Sequence, residues 1–490
     1  MHGKVLQKST TMDYTTLGCL LPRYFRVLGD PSRDLSTAEV GNRVVRRVQW
    51  APDFYAIPGC IPLHDSNDSV KSHIANGLYP MDIASAIAVM VLGLSADSRA
   101  SVLDLCCCPG SKLGLIAEKL SPASIVVGVD ISESRLNVCK SLLRTWSEPL
   151  VRFQKKESAR QLIFHGDGTT FCDTSTGKLV YDSSIIKEEI SMFGGVKKRN
   201  KSYIKREQKR LKALESSMCG EPASEENEHV VVERILPSSY NYVLVDAECT
   251  HDASYKHMQF IPADVERGVE SDAENENKQS SKSIGRKRPH DKPQASLSHG
   301  TDTTDNVSSD SLRELQQSLL FNGFRNLKPG GVLVYSTCSQ AREQNEDIVE
   351  WFLQTVQEEA ELVSVLDTLR DVLPALSEMP HSSNDSADQG EAFGTSEFRF
   401  ALSSPDPTSS PICPLRLLQQ DLPALMHTVQ SQYPTEEARR ALSFAICDAV
   451  TAQARPVVHE SELLPGTVRL SYKGGMSGHF IAKIRKVGCV

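Results

Sequence analysis

Short β-rich apolar runs alternate with longer runs of helical period through the middle of the chain. Ser101-Val-Leu-Asp-Leu105 reads as a first strand, and Lys112 to Leu120 as a helix with its apolar positions on one face. Ile125-Val-Val-Gly-Val129 is a second strand ending at Asp130, and Glu133 to Trp146 a second helix. Leu162-Ile-Phe164 is a third strand before His165-Gly-Asp167, and Tyr242-Val-Leu-Val245 a fourth, running into Asp246. Ser311 to Leu327 predicts a helix that stops at Lys328-Pro-Gly-Gly331. Val332-Leu-Val-Tyr335 is then a fifth strand, Glu346 to Leu353 opens the next helix, and Gly478 to Ile484 alternates like a late strand. Strands alternating with helices in this way predict an α/β fold built on a parallel sheet.

Three stretches interrupt the pattern. Residues 173–239 carry a basic run from Lys197-Lys-Arg199 to Lys209 and Arg210, interleaved with Tyr203 and Ile204. Residues 265–310 are rich in Ser, Asn, Asp and Lys, with few large apolar groups to offset ordering entropy, so disorder is expected there. Ser377 to Glu391 is similar, within a partly helical insertion over 361–465. The expected organisation is an N-terminal region over 1–99, a core over 100–360 plus 466–490, and insertions at 173–239, 265–310 and 361–465.

With 490 residues, 40% hydrophobic and 24% charged, the composition is that of a globular protein. No apolar run reaches bilayer length, and Met1 to Tyr14 has no apolar segment of the secretory kind, so neither a membrane span nor secretion is expected. Thirteen cysteines form no regular framework and include no Cys-x-x-Cys pair, which favours a reducing compartment over disulfides or structural zinc. Cys106, Cys107 and Cys108 are neighbours whose side chains should diverge, a poor set for one metal ion. The net charge of −8 means that a nucleic-acid partner needs a local basic patch. Lys197 to Arg210 is a candidate for phosphate contact, although such runs are commonly solvated helix faces.

Candidate chemistry sits where strands end. Leu103-Asp-Leu-Cys-Cys-Cys-Pro-Gly-Ser-Lys112 links the first strand to the first helix, where backbone N–H groups and a helix N-terminus can approach a ligand. Asp130, at the end of the next strand, can accept both hydroxyls of a ribose. Neither Gly-x-Gly-x-x-Gly nor Gly-Lys-Ser/Thr is present in that loop, so a phosphate cradle is not indicated, whereas S-adenosylmethionine needs none. Asp104, Asp130 and Asp167 recur after successive strands. Singly each reads as a turn or cap acid; together they support a nucleoside-binding domain.

Two cysteines follow the fourth and fifth strands, in Val245-Asp-Ala-Glu-Cys-Thr-His251 and Val334-Tyr-Ser-Thr-Cys-Ser339. A lone cysteine is usually a buried small hydrophobe. A thiol placed beside a methyl donor has a further use, because carbon 5 of cytosine attacks a methyl sulfonium only after thiolate addition at carbon 6. A base then removes the carbon-5 proton so that the thiol is eliminated.

These contexts resemble the RNA cytosine-5 methyltransferases of the RsmB/NSUN type. The family's loop Asp-x-Cys-Ala-Ala-Pro-Gly-Gly-Lys-Thr is Asp104-Leu-Cys-Cys-Cys-Pro-Gly-Ser-Lys112-Leu113 here, and its Asp-Ala-Pro-Cys-Ser-Gly is Asp246-Ala-Glu-Cys249-Thr-His251. Its Tyr-Ser-Thr-Cys-Ser with Glu-Asn-Glu is similar to Tyr335-Ser-Thr-Cys338-Ser and Glu343-Gln-Asn-Glu346. Leu21-Pro-Arg-Tyr-Phe-Arg26, Met81-Asp-Ile-Ala-Ser85, Asp130-Ile-Ser with Arg135, Leu327-Lys-Pro-Gly-Gly331 and Gly478-His-Phe-Ile-Ala-Lys also look like the family.

The resemblance implies a Rossmann-like class I S-adenosylmethionine-dependent methyltransferase fold with a smaller N-terminal region and long insertions. It implies S-adenosyl-L-methionine as cofactor, with Cys106, Cys107, Cys108, Pro109, Gly110, Ser111, Lys112, Asp130, Arg135, Asp167 and Asp246 around it. It implies Cys338 as nucleophile, Cys249 as the group that helps release the product, and Asp246 as a contact to the cytosine edge. The departures are Cys107 and Cys108 for Ala, Ser111 for Gly, Glu248 for Pro and His251 for Gly. Glu248 puts a carboxylate beside the expected cytosine pocket, which bears on rate and protonation more than on reaction type.

The implied partner is RNA, with tRNA first and ribosomal RNA second, acted on by a monomer inside the cell. Nucleus, nucleolus, cytoplasm and mitochondrion are all compatible, and Arg286-Lys-Arg288-Pro has the form of a nuclear localisation signal. A catalytically weakened scaffold in an RNA complex is the competing reading, favoured by Glu248. A DNA cytosine-5 methyltransferase fits less well, because that class takes its nucleophile from the Pro-Cys motif that Glu248 breaks.

Overall fold

The computed structural model describes residues 15–27, 39–40, 43–61, 78–96, 99–154, 158–184, 236–237, 239–254, 309–373, 413–453 and 456–488. The basic run Lys197 to Arg210, Arg286 to Arg288, Ser377 to Glu391 and nearly all of 265–310 lie outside them.

The central sheet has ten strands: β1 Ser101–Asp104, β2 Ile125–Asp130, β3 Arg160–Gly166, β4 Gly177–Asp182, β5 Tyr240–Asp246, β6 Leu327–Thr337, β7 Ala360–Val363, β8 His459–Glu460, β9 Val468–Leu470 and β10 His479–Lys486. Its order is β4-β3-β2-β1-β5-β6-β10-β9-β8, with β7 also paired to β10. Strands β3, β2, β1, β5 and β6 are mutually parallel. β4 and β10 pair antiparallel at either side of that block. The expected parallel sheet is thus a parallel centre with antiparallel flanks. The flanking strands β4, β7, β8 and β9 are short or half-polar, so they give little periodic signal.

The helices named below are α1 Ile83–Val91, α2 Ser111–Lys119, α3 Glu133–Gln154, α4 Ser309–Arg325, α5 Glu346–Val356 and α6 Val365–Val372. The central strands are apolar at successive positions because both sheet faces are covered. Val102, Val126, Leu244 and Val334 face one core with residues of α1, α2, α3 and α6. Leu103, Val127, Val243, Val245 and Leu333 face the other, with residues of α4 and α5. The Lys328-Pro-Gly-Gly331 stretch does end α4, but it is itself the start of β6. Pairing shifts there from Tyr240↔Leu327 to Tyr242↔Val332, so the turn residues fill an irregularity in the ladder.

A second, four-stranded sheet from the N-terminal region runs Arg46–Arg47, Phe54–Ile57, Arg23–Val27, Leu78–Pro80. Tyr24, Trp50, Phe54 and Met81 join the same apolar cluster as α1 and α2. Buried Arg26 pairs with Glu118 of α2. Within the span expected as an insertion over 361–465, helices Pro414–Leu418, Leu422–Gln432 and Glu436–Thr451 share an apolar cluster with Leu20 and Leu21. Asp448 also accepts a 2.6 Å hydrogen bond from Arg46. Among the described residues no helix is long and apolar enough to cross a membrane.

Candidate active site

All five parallel strands end on one edge of the sheet. The chain passes from β1 to β2 on one side and returns to β5 on the other, leaving a crevice where the strand order reverses. A cleft of about 1220 Å³ opens there. It is lined by Cys106, Cys108, Pro109, Lys112, Asp130, Arg135 and Asp167 from the expected cofactor set. Asp246, Glu248, His251 and Cys338 line the same cleft. Arg23, Met81 and Ser85 bring the N-terminal region and α1 to its rim.

The residues between β1 and α2 divide into two layers. Cys106, Cys108 and Pro109 reach the cleft, whereas Cys107 is packed behind it against Gly128. Gly110 has φ +103, and a Cβ there would sit 2.7 Å from the Cys139 sulfur, so both backbone and space require glycine. Cys107, Cys108 and Cys139 of α3 consequently have their sulfurs within 4.8 Å of one another. Nothing in the sequence pattern points to Cys139. Gly110 and Ser111 do not line the cleft. The N–H of Cys107 is used by the Val129 carbonyl at 3.0 Å, and that of Cys108 by Asp130 Oδ2 at 3.3 Å. The N–H groups of these two residues therefore brace the loop.

Asp130 is 4% exposed at the end of β2. Its Oδ1 accepts from the Ser132 N–H at 2.9 Å, which fixes the carboxylate plane at the cleft wall. Asp167 is fixed similarly by the Thr169 N–H at 2.9 Å and hydroxyl at 2.7 Å. Ile131 is exposed beside Asp130 and also lines the cleft. A carboxylate for a ribose, an apolar surface for a purine and no phosphate cradle fit an adenosine-type ligand such as S-adenosylmethionine.

Lys112 projects from α2 across the crevice. Its ammonium lies 2.7 Å from Asp246 Oδ2 and 3.2 Å from Ser85 Oγ. Asp246 Oδ1 accepts from Ser336 at 2.8 Å and lies 3.6 Å from the His479 imidazole. Burial raises the Asp246 pKa, but Lys112 and His479 outweigh it and hold the carboxyl well below the usual carboxylate range. Asp104, at the end of the neighbouring strand β1, behaves oppositely. It is buried with neither side-chain oxygen hydrogen-bonded, and burial together with the Asp246 charge raises its pKa well above normal.

The two thiols meet. Cys249 Sγ and Cys338 Sγ are 3.3 Å apart. Their loops are stitched together by Ala253 N–H to the Cys338 carbonyl at 3.0 Å and by Thr250 Oγ1 to Ser339 Oγ at 2.9 Å. Thr337 donates to Asn345 at 2.5 Å, and Asn345 donates to the Ser339 carbonyl at 2.9 Å. Glu346 is fully buried, chelated by Arg469 and bonded to Ser461 at 2.6 Å. The Glu-x-Asn-Glu run after Cys338 is therefore a clamp on the thiol loop. Cys338 lines the cleft; Cys249 is 6% exposed behind it.

His251 is the neighbour that sequence patterns under-read. Its Nδ1 lies 2.8 Å from Cys338 Sγ and 3.6 Å from Cys249 Sγ. Its Nε2 lies 3.6 Å from Glu248 Oε1, and Glu248 Oε2 accepts from Arg135 at 3.1 Å. Arg135 also donates to the Cys108 carbonyl at 3.0 Å, which joins the cofactor loop to the thiol loop. Hydrogen bonding to Cys249 and to Glu248 pushes the imidazole up to about 10 against burial. The hydrogen bond from Cys338, with His251 outweighing burial, brings Cys249 down to about 5. Cys338 is correspondingly raised, because its proton bridges to Cys249.

Residues 303–385, which include β6, Cys338 and its clamp, match the family described as "16S rRNA methyltransferase RsmB/F". Over that segment the chain is similar to the RsmB/F methyltransferases. It is similar to the ribosomal RNA small subunit methyltransferase F of Shigella flexneri serotype 5b, 38% identical over 80 residues, 16% of this chain and 17% of that protein. The enzyme of the same name from Shewanella amazonensis is 38% identical over 69 residues, 14% of this chain and 15% of that one. The aligned segment thus spans about a sixth of the length of these relatives. Among solved structures, a methyltransferase homolog protein from Pyrococcus horikoshii superposes with a TM-score of 0.42 and 16% identity, covering 96% of this chain and 89% of that one. Beside β6 the sheet carries β10 as an antiparallel strand.

Proposed function

We propose that this chain is an S-adenosylmethionine-dependent RNA cytosine-5 methyltransferase that works through a covalent Cys338 adduct. The observation that carries the reading is the pair of thiols 3.3 Å apart at the rim of the crevice that also holds Asp130. When bound, S-adenosylmethionine supplies an electrophilic methyl group on a sulfonium. Asp130 is the residue to accept the ribose hydroxyls, and Ile131 gives an apolar face for the base. Cys338, the more accessible thiol, adds to carbon 6 of the cytosine. Asp246, kept ionised by Lys112, is aimed to accept from the exocyclic amine and hold the ring over Cys338. Cys249 takes the carbon-5 proton, after which the carbon–sulfur bond breaks.

Ribosomal RNA stands ahead of tRNA as the substrate class, because the curated relatives are small-subunit rRNA methyltransferases by name. The test is methyl transfer by the purified full chain to rRNA and tRNA transcripts, with 5-methylcytosine mapped at single-base resolution. Incorporation at cytosine C5 that disappears in Cys338→Ala is expected. RNA binding without methylation of any transcript would support the scaffold reading instead.

A further inference from the structure

We propose that Glu248 and His251 form a relay onto the thiol pair, with the His251 imidazolium as counter-ion of the thiolate, first at Cys338 and then at Cys249. The proposal rests on the methyltransferase reading of this site and adds two groups to it. Both residues are departures from the motif that the rest of the loop resembles, Glu for Pro and His for Gly. The fold brings these two departures together. One imidazole nitrogen faces Glu248 at 3.6 Å, and the other faces Cys338 at 2.8 Å and Cys249 at 3.6 Å.

The backbone of His251 supports a placed rather than incidental side chain. Its φ is +58, in the left-handed region that suits glycine and strains most other residues. A glycine would adopt that turn more easily but would remove the imidazole from both sulfurs, leaving Lys112 as the cation acting on Cys338. Glu248 is anchored in turn by Arg135, so its carboxylate is bracketed between a guanidinium and the imidazole.

The surrounding charges pair off. Asp246 at the end of β5 is matched by Lys112 of α2 at 2.7 Å, with His479 of β10 at 3.6 Å. Glu248 is matched by Arg135 of α3. Asp252, next to His251, is engaged by Thr250 at 3.0 Å and the Gln340 N–H at 2.9 Å. Among the described residues, Cys338 faces the imidazole from the β6 side, and Cys249 and Glu248 face it from its own loop. His251 pushed up to about 10 and Cys249 brought down to about 5 describe one imidazolium and one thiolate, with the second thiol proton shared across 3.3 Å. The two sulfurs share that proton, and distance makes Cys338 the closer partner of the ring. Crossing of the shared proton to Cys249 moves the charge to the nucleophile with almost no atomic motion.

The cycle balances. The Cys338 Sγ–C6 bond forms and the C5–C6 electron pair becomes nucleophilic at C5. Cys338 is then a neutral thioether, and the imidazolium has Cys249 as its remaining thiol partner, whose proton leaves to solvent. After methylation the Cys249 thiolate takes the C5 proton. The C–H pair restores the C5–C6 double bond, and the Sγ–C6 bond breaks with its electrons returning to Cys338. His251 stays protonated throughout. It touches a reacting atom and is catalytic, whereas Glu248 acts through it and is a positioning residue.

The test is the pH profile of alkylation by iodoacetamide in the full chain without RNA, read by mass spectrometry on the peptides carrying Cys249 and Cys338. The native acidic limb is expected well below the ordinary thiol midpoint of about 8.5. His251→Gly should move that midpoint up to near the ordinary value. His251→Asn, also tolerant of positive φ but neutral, should do the same and decides the matter should the glycine variant not fold. Glu248→Gln should move it in the same direction by less, a change that a purely structural role would not produce. The midpoint is the readout because a less acidic thiolate is intrinsically more nucleophilic, so rates at one pH partly cancel. Midpoints of His251→Gly and His251→Asn that superimpose on the native one would overturn the relay, even in an enzyme that methylates RNA. Shifted midpoints in a chain that methylates no RNA would leave the relay standing and overturn the methyltransferase reading.

Discussion

Replacing Lys112 with Met keeps most of the side-chain volume and removes the cation that spans the crevice. The pair it breaks is 12% exposed at Lys112 and 24% at Asp246. Breaking a fully buried pair costs about 3–5 kcal/mol, and an exposed one about 0.2–1. Water still reaches Asp246, so a loss of about 2–3 kcal/mol is expected for Lys112→Met. For a domain of this size that is a fall in Tm of about 4–12 °C. The sign with pH follows from Asp246. Its folded pKa is depressed, so its contribution is present above the unfolded value of about 3.9 and is lost as pH falls through the folded one. Without Lys112, burial dominates and the carboxyl titrates higher. The deficit of the variant is therefore largest near pH 7 and narrows toward pH 4. Calorimetry at both pH values, with Asp246→Asn and the double variant completing a cycle, measures the coupling. Most of the lost stability should return in the double variant. A Tm within 1 °C of native at pH 7, or single costs that simply add, would refute the view that Lys112 is what keeps Asp246 ionised.

Cys338→Ala should abolish methyl transfer and any covalent RNA adduct, whereas Cys249→Ala should accumulate an adduct that survives denaturing electrophoresis; the reverse pattern would put the nucleophile after β5. Asp130→Ala should weaken S-adenosylmethionine binding at least about 100-fold in calorimetry, since each of two hydrogen bonds to a carboxylate is worth at least about 1.5 kcal/mol, and an unchanged Kd would remove Asp130 from the cofactor site. Asp104→Asn should stabilise the protein at neutral pH. The raised pKa means that native stability is full below the unfolded value and declines as pH rises toward the folded one, so the Tm advantage of Asn should grow from pH 5 to pH 8. A constant difference across that range would show that Asp104 does not titrate there.

Much of this architecture is legible in one dimension. Strands buried on both faces are written as continuous apolar runs, and the loops that follow them carry Asp130, Asp246, Cys249 and Cys338 in recognisable contexts. The flanking antiparallel strands are harder to see. Gly177–Asp182 and Val468–Leu470 owe their conformation to the ladder partner that recruits them rather than to their own pattern. Cys139 gave no signal either, since its meeting with Cys107 and Cys108 depends on α3 packing over Gly110.

Local periodicity and contiguous motifs are enough to mark out the sheet's core, the edge at which the cleft opens and the two loops that carry Cys249 and Cys338. Tertiary structure decided what those groups do to one another. Lys112 and Asp246 are 134 positions apart, and Cys249 and Cys338 are separated by 89, yet each pair is in direct contact. Glu248 and His251 read singly as two odd replacements in a loop. Only the turn at φ +58 and the approach of the β6 loop make them a cation beside a thiol pair. Charge interactions fall off with distance through space, and the chain's own numbering carries no record of that distance until it folds.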